Sequence, residues 1–369
     1  MTLPGEVGRV RVGGSSGYSV VVGRGLLAAL PDVVDDVLAE GTVAVVSDSN
    51  VLPLHGKAVA DALRAAGRKT SEHAFPAGEA SKTRKRWSIL TDELLDAGHG
   101  RDVCVIAVGG GVTTDLAGFV AATYLRGVPV VLVPTSTLAM VDASTGGKTG
   151  VDVRAGKNLV GAFHRPAAVI ADIDPLRTLP REERAQGLVE AVKHAAILDA
   201  SHLDAVDGAV ESLLDADPGP SAEIVLASVA LKAAVVDADE LEAGYRQVLN
   251  FGHTIGHAVE AAAGYRLGHG SCVAFGMRVE AAIGERLGVT EPGTGARVER
   301  VLERLVGAFR PGVGVDEVRA YLGADKKARA GRARYVLLER PGRVAAQGGW
   351  AHDVADEVVA AELDAALES

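Results

Sequence analysis

The sequence predicts an α/β fold in two domains, and three observations carry that prediction. Between Tyr18 and about Asp174, short β-branched runs alternate with helix-sized segments. From Arg181 onward, apolar residues recur at three- and four-residue spacing. Pro175 and Pro180 punctuate the change. The strand-length runs are Tyr18–Val22, Thr42–Ser47, Val103–Val108, Val128–Pro134 and Ala168–Ala171. Their length and the helix-sized gaps between them predict a mostly parallel sheet. Helices are predicted over Glu182–Leu198, Ala222–Val236 and Ala274–Leu287, with Asp215–Pro220 as an interhelical loop. The domains are therefore expected at 1–177 and 178–369. No internal repeat or low-complexity linker interrupts them.

Composition narrows the function classes. The chain has 369 residues, 48% apolar and 23% charged, ample for two cores. A formal charge of −10 and a pI near 5.5 argue against a nucleic-acid partner. Residues Met1–Gly14 form no apolar signal segment and no run of eighteen apolar residues occurs, so a cytoplasmic protein without a membrane partner is expected. Cys104 and Cys272 offer neither a disulfide framework nor a CxxC site. There are 28 arginines but only 10 lysines. Lys148, Lys157, Lys193, Lys232, Lys326 and Lys327 lie in or near polar segments, where a compact ammonium fits a crowded pocket better than a guanidinium fork.

The strand Val103–Val108 runs into Gly109-Gly110-Gly111-Val112-Thr113-Thr114-Asp115 and a helix expected from Leu116. Glycines between strand and helix let the backbone approach a phosphate, although a tight structural turn reads the same way. This is not the GxGxxG fingerprint, and the triplet alone does not establish a dinucleotide site. Asp48-Ser49-Asn50 follows a strand, where an acid could meet a ribose hydroxyl. Glu79 and Lys82 form either a binding pair or a surface ion pair. Thr135 and Ser136 precede a dense polar run, Asp142-Ala-Ser-Thr-Gly-Gly-Lys148-Thr-Gly150, followed by Gly156-Lys157-Asn158. Gly-Gly-Lys-Thr suggests a phosphate loop, but Asp142 stands where its first glycine is required, which excludes the NTPase reading. A tight pocket for a hydroxylated anionic molecule remains.

The second half carries Asn250-Phe-Gly-His253-Thr-Ile-Gly-His257 and then Gly268-His269-Gly270. Histidines at i and i+4 share a helix face, and imidazole is a good zinc ligand. An isolated pair of this kind is more often surface or hydrogen-bonded core. The third histidine, with Asn250 and Arg246 upstream, favours a metal site, in which one helix histidine could instead serve as an acid or base.

Taken together, the glycine triplet with Asp115, Ala121-Ala-Thr-Tyr-Leu-Arg126-Gly127, the Asp142–Lys148 segment, Gly156-Lys-Asn-Leu-Val-Gly161, Glu190 with Lys193, and the histidine segment resemble the 3-dehydroquinate synthases. The resemblance covers nearly the whole chain in unbroken order. It implies an N-terminal Rossmann-like NAD-binding α/β domain, a C-terminal, mainly α-helical metal-binding domain, an active site in the cleft between them, and a homodimer. It implies zinc, or cobalt, on Glu190, His253 and His269, with His257 beside the metal for proton transfer. NAD would be held by Asp48, Asn50, Glu79, Lys82, Gly110, Gly111, Val112, Asp115, Thr135 and Ser136, with Lys148 and Lys157 nearby. The sugar phosphate substrate would meet Asp142, Lys148, Lys157, Asn158, Lys193, Lys232, Arg246, Asn250 and Lys326 or Lys327, with Arg126 supplied by the neighbouring subunit.

The reaction so implied turns 3-deoxy-D-arabino-heptulosonate 7-phosphate into 3-dehydroquinate and phosphate, the second step of the shikimate pathway. Transient oxidation at C5, β-elimination, reduction and an intramolecular aldol closure leave no net redox change. Three residues depart from the expected pattern: Thr114, Ser136 and Ser271, the last of which puts in question what supports His269. Rival readings are a related cyclase, such as an aminodehydroquinate synthase, a zinc polyol or glycerol dehydrogenase, and a non-catalytic relative. Arg246, Asn250 and His257 resemble the dehydroquinate set.

Overall fold

The computed structural model describes residues 2–14, 17–154, 156–328 and 333–368, with backbone alone over 324–328. In chain order the first elements are β1 (Glu6–Val12), β2 (Tyr18–Gly23), α1 (Leu30–Val37), β3 (Thr42–Asp48), α2 (Lys57–Ala65), β4 (Lys69–Phe75) and α3 (Arg84–Asp96). Next come β5 (Val103–Gly109), α4 (Gly111–Thr123), β6 (Val130–Pro134), β7 (Lys148–Val153), β8 (Gly156–Phe163) and β9 (Ala168–Asp172). Then follow α5 (Arg181–Leu198), α6 (Ala200–Leu214), α7 (Pro218–Ala238), α8 (His253–Ala262) and α9 (His269–Arg286). The last are α10 (Thr294–Val306), α11 (Val315–Ala328), the short β10 to β13 (Arg334–Tyr335, Leu338–Arg340, Arg343–Val344, His352–Asp353) and α12 (Asp356–Glu368). No helix among the described residues is long and apolar enough to cross a membrane.

The first compact unit comprises Met1–Pro180 and Ala216–Asp237. Its sheet runs β1-β2-β9-β6-β5-β3-β4, parallel throughout except for the β1–β2 pair. All seven residues of β5 are buried, as a central parallel strand covered on both faces requires. The strand period of two sorts them. Val105 and Ala107 join Leu116, Ala117 and Val120 of α4 in one core, while Cys104, Ile106 and Val108 join Leu30, Val34, Val59 and Leu63 of α1 and α2 in the other. From β3 the chain crosses outward to β4, and from β5 it crosses the other way to β6. This reversal makes a crevice at the carboxyl ends of β3 and β5, where α/β sheets bind ligands.

Three differences from the sequence reading have plain causes. Helix α7 packs in the first unit, because Ala222, Val225, Val229, Ala233 and Val236 enter the core that holds α4; the 178–369 segment is thus not one compact body. Helix α4 starts at Gly111 rather than Leu116, with Gly110 as its cap and the Thr114 hydroxyl donating to the Gly111 carbonyl at 3.0 Å. The polar run from Lys148 to Phe163 is an antiparallel hairpin, β7–β8, outside the main sheet.

The second unit comprises Arg181–Asp215 and Ala238–Ser369. Ile255 and Val259 of α8, Phe275, Val279 and Ile283 of α9, Val318 of α11 and Leu363 of α12 form its core. Glycine sets the helix spacings. A Cβ on Gly276 would stand 1.9 Å from the Gly252 carbonyl oxygen, and one on Gly256 would stand 2.8 Å from that of Cys272, so α8 and α9 touch backbone to backbone. A Cβ on Gly270 would lie 2.3 Å from the Gln186 carbonyl oxygen, which presses the start of α9 onto α5.

Candidate active site

These close approaches assemble the histidines. Gln186 and Glu190 lie one turn apart on α5, so docking of Gly270 against Gln186 carries His269 to Glu190. The Glu190 Oε1 atom is 3.5 Å from His269 Nε2 and 3.6 Å from His253 Nε2, and its other oxygen meets the Lys193 ammonium. Glu190 and Lys193 are almost fully buried. His253, His257 and His269 form one cluster, with ring centroids 5.2–5.7 Å apart. Two donors about 2.1 Å from one ion in a tetrahedral shell stand about 3.4 Å apart. The carboxylate-to-imidazole separations match that edge, so Glu190, His253 and His269 fit a divalent metal.

Supporting groups that the sequence did not reveal surround this set. His269 Nδ1 faces Glu260 Oε2 at 3.4 Å, leaving Nε2 directed at Glu190. Glu260 is seven residues beyond His253, two turns along the same face of α8, and that periodicity was the signal available for it. Ser271 does not support His269. It forms a two-point bond with Gln186, its hydroxyl accepting from Nε2 and its N–H donating to Oε1, both at 2.8 Å. Glu280, fully buried, accepts the Gly252 N–H at 2.9 Å and so anchors the start of α8. Burial lowers His253 well below the usual imidazole range, with Lys193 adding to it. Burial acts in the same sense on His269, but Glu190 and Glu260 overcome it and hold that ring up at about 9.

Arg246 and Asn250 lie in a 3-10 turn, Tyr245–Asn250, just before α8. Asp239 accepts the N–H groups of Ala243, Gly244 and Arg246 and thereby fixes this loop. The Arg246 side chain is 1% exposed and donates to the Glu240 carbonyl at 2.5 Å. Asn250 donates to Glu242 at 3.2 Å, and Glu242 holds a left-handed φ of 60°. The side chains of Lys326 and Lys327 lie outside the described residues.

In the first unit, the residues expected at a nucleotide converge on the strand ends. Asp48 closes β3. Its carboxylate accepts the N–H groups of Asn50 and Val51 at 2.8 and 3.0 Å, and the Thr113 hydroxyl at 3.3 Å. That uses three of about four acceptor positions and leaves capacity for a ribose hydroxyl. Gly110, Gly111 and Val112 open α4, and Thr135 and Ser136 follow β6, where Ser136 Oγ accepts the Ala139 N–H at 3.3 Å. A Cβ on Gly111 would make only an ordinary 3.5 Å contact, so no described residue requires glycine there. A bound phosphate at the α4 N-terminus would. Lys82, buried, pairs with Asp115 at 2.5 Å, and Lys157 faces Glu79 at 3.5 Å.

Nearby in the same unit, the buried Lys232 of α7 donates to the Asp142 carbonyl at 2.6 Å and pairs with its carboxylate at 2.9 Å. Lys148 begins β7, and Asn158 on β8 has a φ of 57°. Arg126 sits in a strained loop after α4, where Leu125, Arg126 and Gly127 all have positive φ. Cys104 and Cys272 are both buried and neither forms a disulfide, and burial pushes the Cys104 thiol up to about 12, as an inert core residue.

Comparison with known proteins divides the chain within α5, and so differs from the structural units, in which α7 belongs to the first. A family model of the 3-dehydroquinate synthase N-terminal domain matches residues 72–186 and one of the C-terminal domain matches 187–328. The 3-dehydroquinate synthase of Symbiobacterium thermophilum is 45% identical over 335 residues, 90% of this chain and 94% of that protein. The crystal structure of 2-deoxy-scyllo-inosose synthase with carbaglucose-6-phosphate, NAD+ and Co2+ shares the fold, with a TM-score of 0.89 and 24% identity over 98% of this chain and 100% of the other. The 2-epi-5-epi-valiolone synthase of Streptomyces hygroscopicus subsp. jinggangensis, with NAD+ and Zn2+ bound, gives 0.85 and 29% over 98% and 99%. The chain belongs to the 3-dehydroquinate synthase family.

Proposed function

We propose that this protein is a 3-dehydroquinate synthase, a carbon–oxygen lyase that converts 3-deoxy-D-arabino-heptulosonate 7-phosphate to 3-dehydroquinate and phosphate. The observation that carries the reading is the convergence of Glu190, His253 and His269 in a chain 45% identical to a protein of that name. In this reading the three residues hold zinc or cobalt, and Asp48, Asn50, Glu79, Lys82, Gly110, Gly111, Val112, Asp115, Thr135 and Ser136 hold NAD. When bound, NAD takes a hydride and gives it back, while the divalent ion polarises the oxygens it holds.

The chain supplies the rest. Lys148, Lys157, Asn158, Lys193, Lys232, Arg246, Asn250 and one of Lys326 and Lys327 bind the substrate's carboxylate, phosphate and hydroxyls. Asp142 fixes the Lys232 ammonium by the two contacts described above. Buried cations suit this task because their attraction for an anion is little screened. His257, exposed beside the two better-covered rings, moves a proton. Tethering both ends keeps one substrate through several steps. The protein is placed in the cytoplasm, in the shikimate route to chorismate and the aromatic amino acids, as a homodimer in which Arg126 serves the partner's site.

The test is to supply the heptulosonate phosphate with zinc and substoichiometric NAD, and to follow phosphate and NADH separately. Many phosphates per NAD are expected. Stoichiometric NADH would support a polyol dehydrogenase instead, and turnover only with an aminated heptulosonate phosphate would support an aminodehydroquinate synthase. For the dimer, inactive Arg126→Ala and inactive His253→Ala chains are mixed and allowed to exchange. Activity should return in part, since one site of the mixed dimer is then complete. If exchange is verified and none returns, Arg126 does not reach across.

A further inference from the structure

Asp152 belongs to none of the sets above, yet three contacts meet on it. In the β7–β8 hairpin Val151 faces Val160 and Val153 faces Gly156, so the single residue Asp152 stands opposite three: Lys157, Asn158 and Leu159. The surplus forms a bulge in which Asn158 takes its left-handed φ of 57°. A bulge loses ladder bonds, and here the Asp152 carboxylate replaces one, its Oδ1 accepting the Asn158 N–H at 2.8 Å. On its other side, the Asp152 N–H donates to the Lys82 carbonyl at 2.7 Å, within a parallel bridge between Asp152 and Thr83. Lys82 in turn reaches Asp115 at the start of α4.

We infer that Asp152 is a positioning residue that holds the bulged turn Lys157–Asn158 in register with the segment at Lys82. Its side chain sets the turn through the Asn158 N–H and also meets Glu79, while its backbone N–H holds the Lys82 carbonyl. The functional meaning rests on the reading that Lys157 and Asn158 bind the substrate and Lys82 binds NAD. The side-chain bond needs an acceptor oxygen, which asparagine also provides. Alanine removes the acceptor and leaves the backbone bond to Lys82. The two roles therefore come apart in one pair of variants.

In Asp152→Ala, the KM for the heptulosonate phosphate should rise about tenfold or more, the value of one charge-assisted hydrogen bond, with a smaller change in kcat. NAD affinity, titrated in the absence of substrate, should change less than the KM, since the lost carboxylate touches the NAD residues only through Glu79 and the charge of Lys82. Amide exchange at Asn158, read on a peptide spanning 156–160, should accelerate by about tenfold or more. Asp152→Asn should restore most of all three. Unchanged exchange in Asp152→Ala overturns the proposal, as does an equal loss of NAD and substrate affinity, which a general loosening of the unit would produce. Asn158→Ala with the wild-type KM would overturn the substrate reading of the turn, and the exchange measurement alone would then decide whether Asp152 positions it.

Discussion

The two sets of candidate residues, one in each unit, are built from different materials. In the first unit the residues proposed for the nucleotide are largely main-chain amides, glycines and short side chains at the ends of β3, β5 and β6, with Asp48 bonded locally to Asn50 and Val51. In the second unit, Glu190 comes from α5, His253 from α8 and His269 from α9, and the carboxylates that support them come from elsewhere on the helices. The sheet set is specified by contiguous sequence. The helical set is specified by packing, because the close contacts at Gly252, Gly256, Gly270 and Gly276, with the apolar core of α8 and α9, bring its donors together. Damage to one residue should therefore spread further in the helical set.

The largest effect tests that expectation directly. Removing one of three ligands leaves a buried, mixed-charge cluster around Lys193, so Glu190→Ala or His253→Ala should lose stoichiometric metal and lower kcat/KM by about three powers of ten or more. Chelation should abolish turnover of the native protein, and zinc or cobalt should restore it. Metal analysis showing a full site in His253→Ala would sink the ligand assignment.

Next in size is the anion clamp. Arg246, 1% exposed, and Lys148, which opens β7, are one proposed anion-binding residue from each unit. Each charged hydrogen bond is worth about 1.5–3 kcal/mol, so Arg246→Ala or Lys148→Ala should lower catalytic efficiency by about one to two powers of ten. Arg246→Ala should cost more, since it also vacates a buried site in a loop fixed by Asp239. Lys57→Ala, an exposed change at the start of α2, should do almost nothing. Equal losses at Arg246 and Lys57 would show that the clamp is misassigned.

How far the sequence could be read follows from the same contrast. Strands β2, β3, β5, β6 and β9 announce themselves as apolar runs because they are buried on both faces. The edge strand β4, Lys-Thr-Ser-Glu-His-Ala-Phe, and the glycine-rich hairpin β7–β8 do not, since their polar and glycine residues break the pattern. Helix α7 was legible as a helix but not as part of the first unit, because periodicity does not say which core a helix joins. Among polar residues, those in contiguous motifs were visible. Gln186 and Glu280 were not, because their partners Ser271 and Gly252 lie 85 and 28 residues away; Glu242, Glu260 and Asp152 have partners six to nine residues away, but loop and bulge geometry, not a motif, brings them together.

A third effect concerns stability rather than turnover. His202 on α6 is 5% exposed; burial lowers its pKa to about 4, His194 adds to this and Asp199 opposes it. A histidine depressed in the folded state is held neutral, while the unfolded chain takes up a proton near pH 6.5. Its contribution is therefore present above about pH 6.5 and is lost as the pH falls toward 4, by up to about 3 kcal/mol. The buried His73 and His99, also lowered by burial, act in the same direction. Urea unfolding at several pH values should show a smaller acid loss in His202→Leu than in the native chain. An identical pH slope in the two would remove His202 as a source.

The smallest effect separates glycines that the chain needs from glycines a ligand needs. A Cβ on Gly109 would stand 2.2 Å from the Thr113 hydroxyl and 2.5 Å from its Cβ. Thr113 is fully buried and donates to Asp48, so Gly109→Ala should cost about 1–3 kcal/mol in stability by overpacking and should disturb Asp48 as well. Gly111 differs in every respect. Its new Cβ would meet Ala143 at 3.5 Å, and alanine is a better helix former than glycine in the first turn of α4. Gly111→Ala should therefore unfold at the native urea midpoint or slightly above it, while NAD binding, measured by titration, weakens by about tenfold as the methyl group blocks close approach of a phosphate. Native NAD affinity in a stable Gly111→Ala chain would place the pyrophosphate elsewhere and leave the glycine triplet as a structural turn.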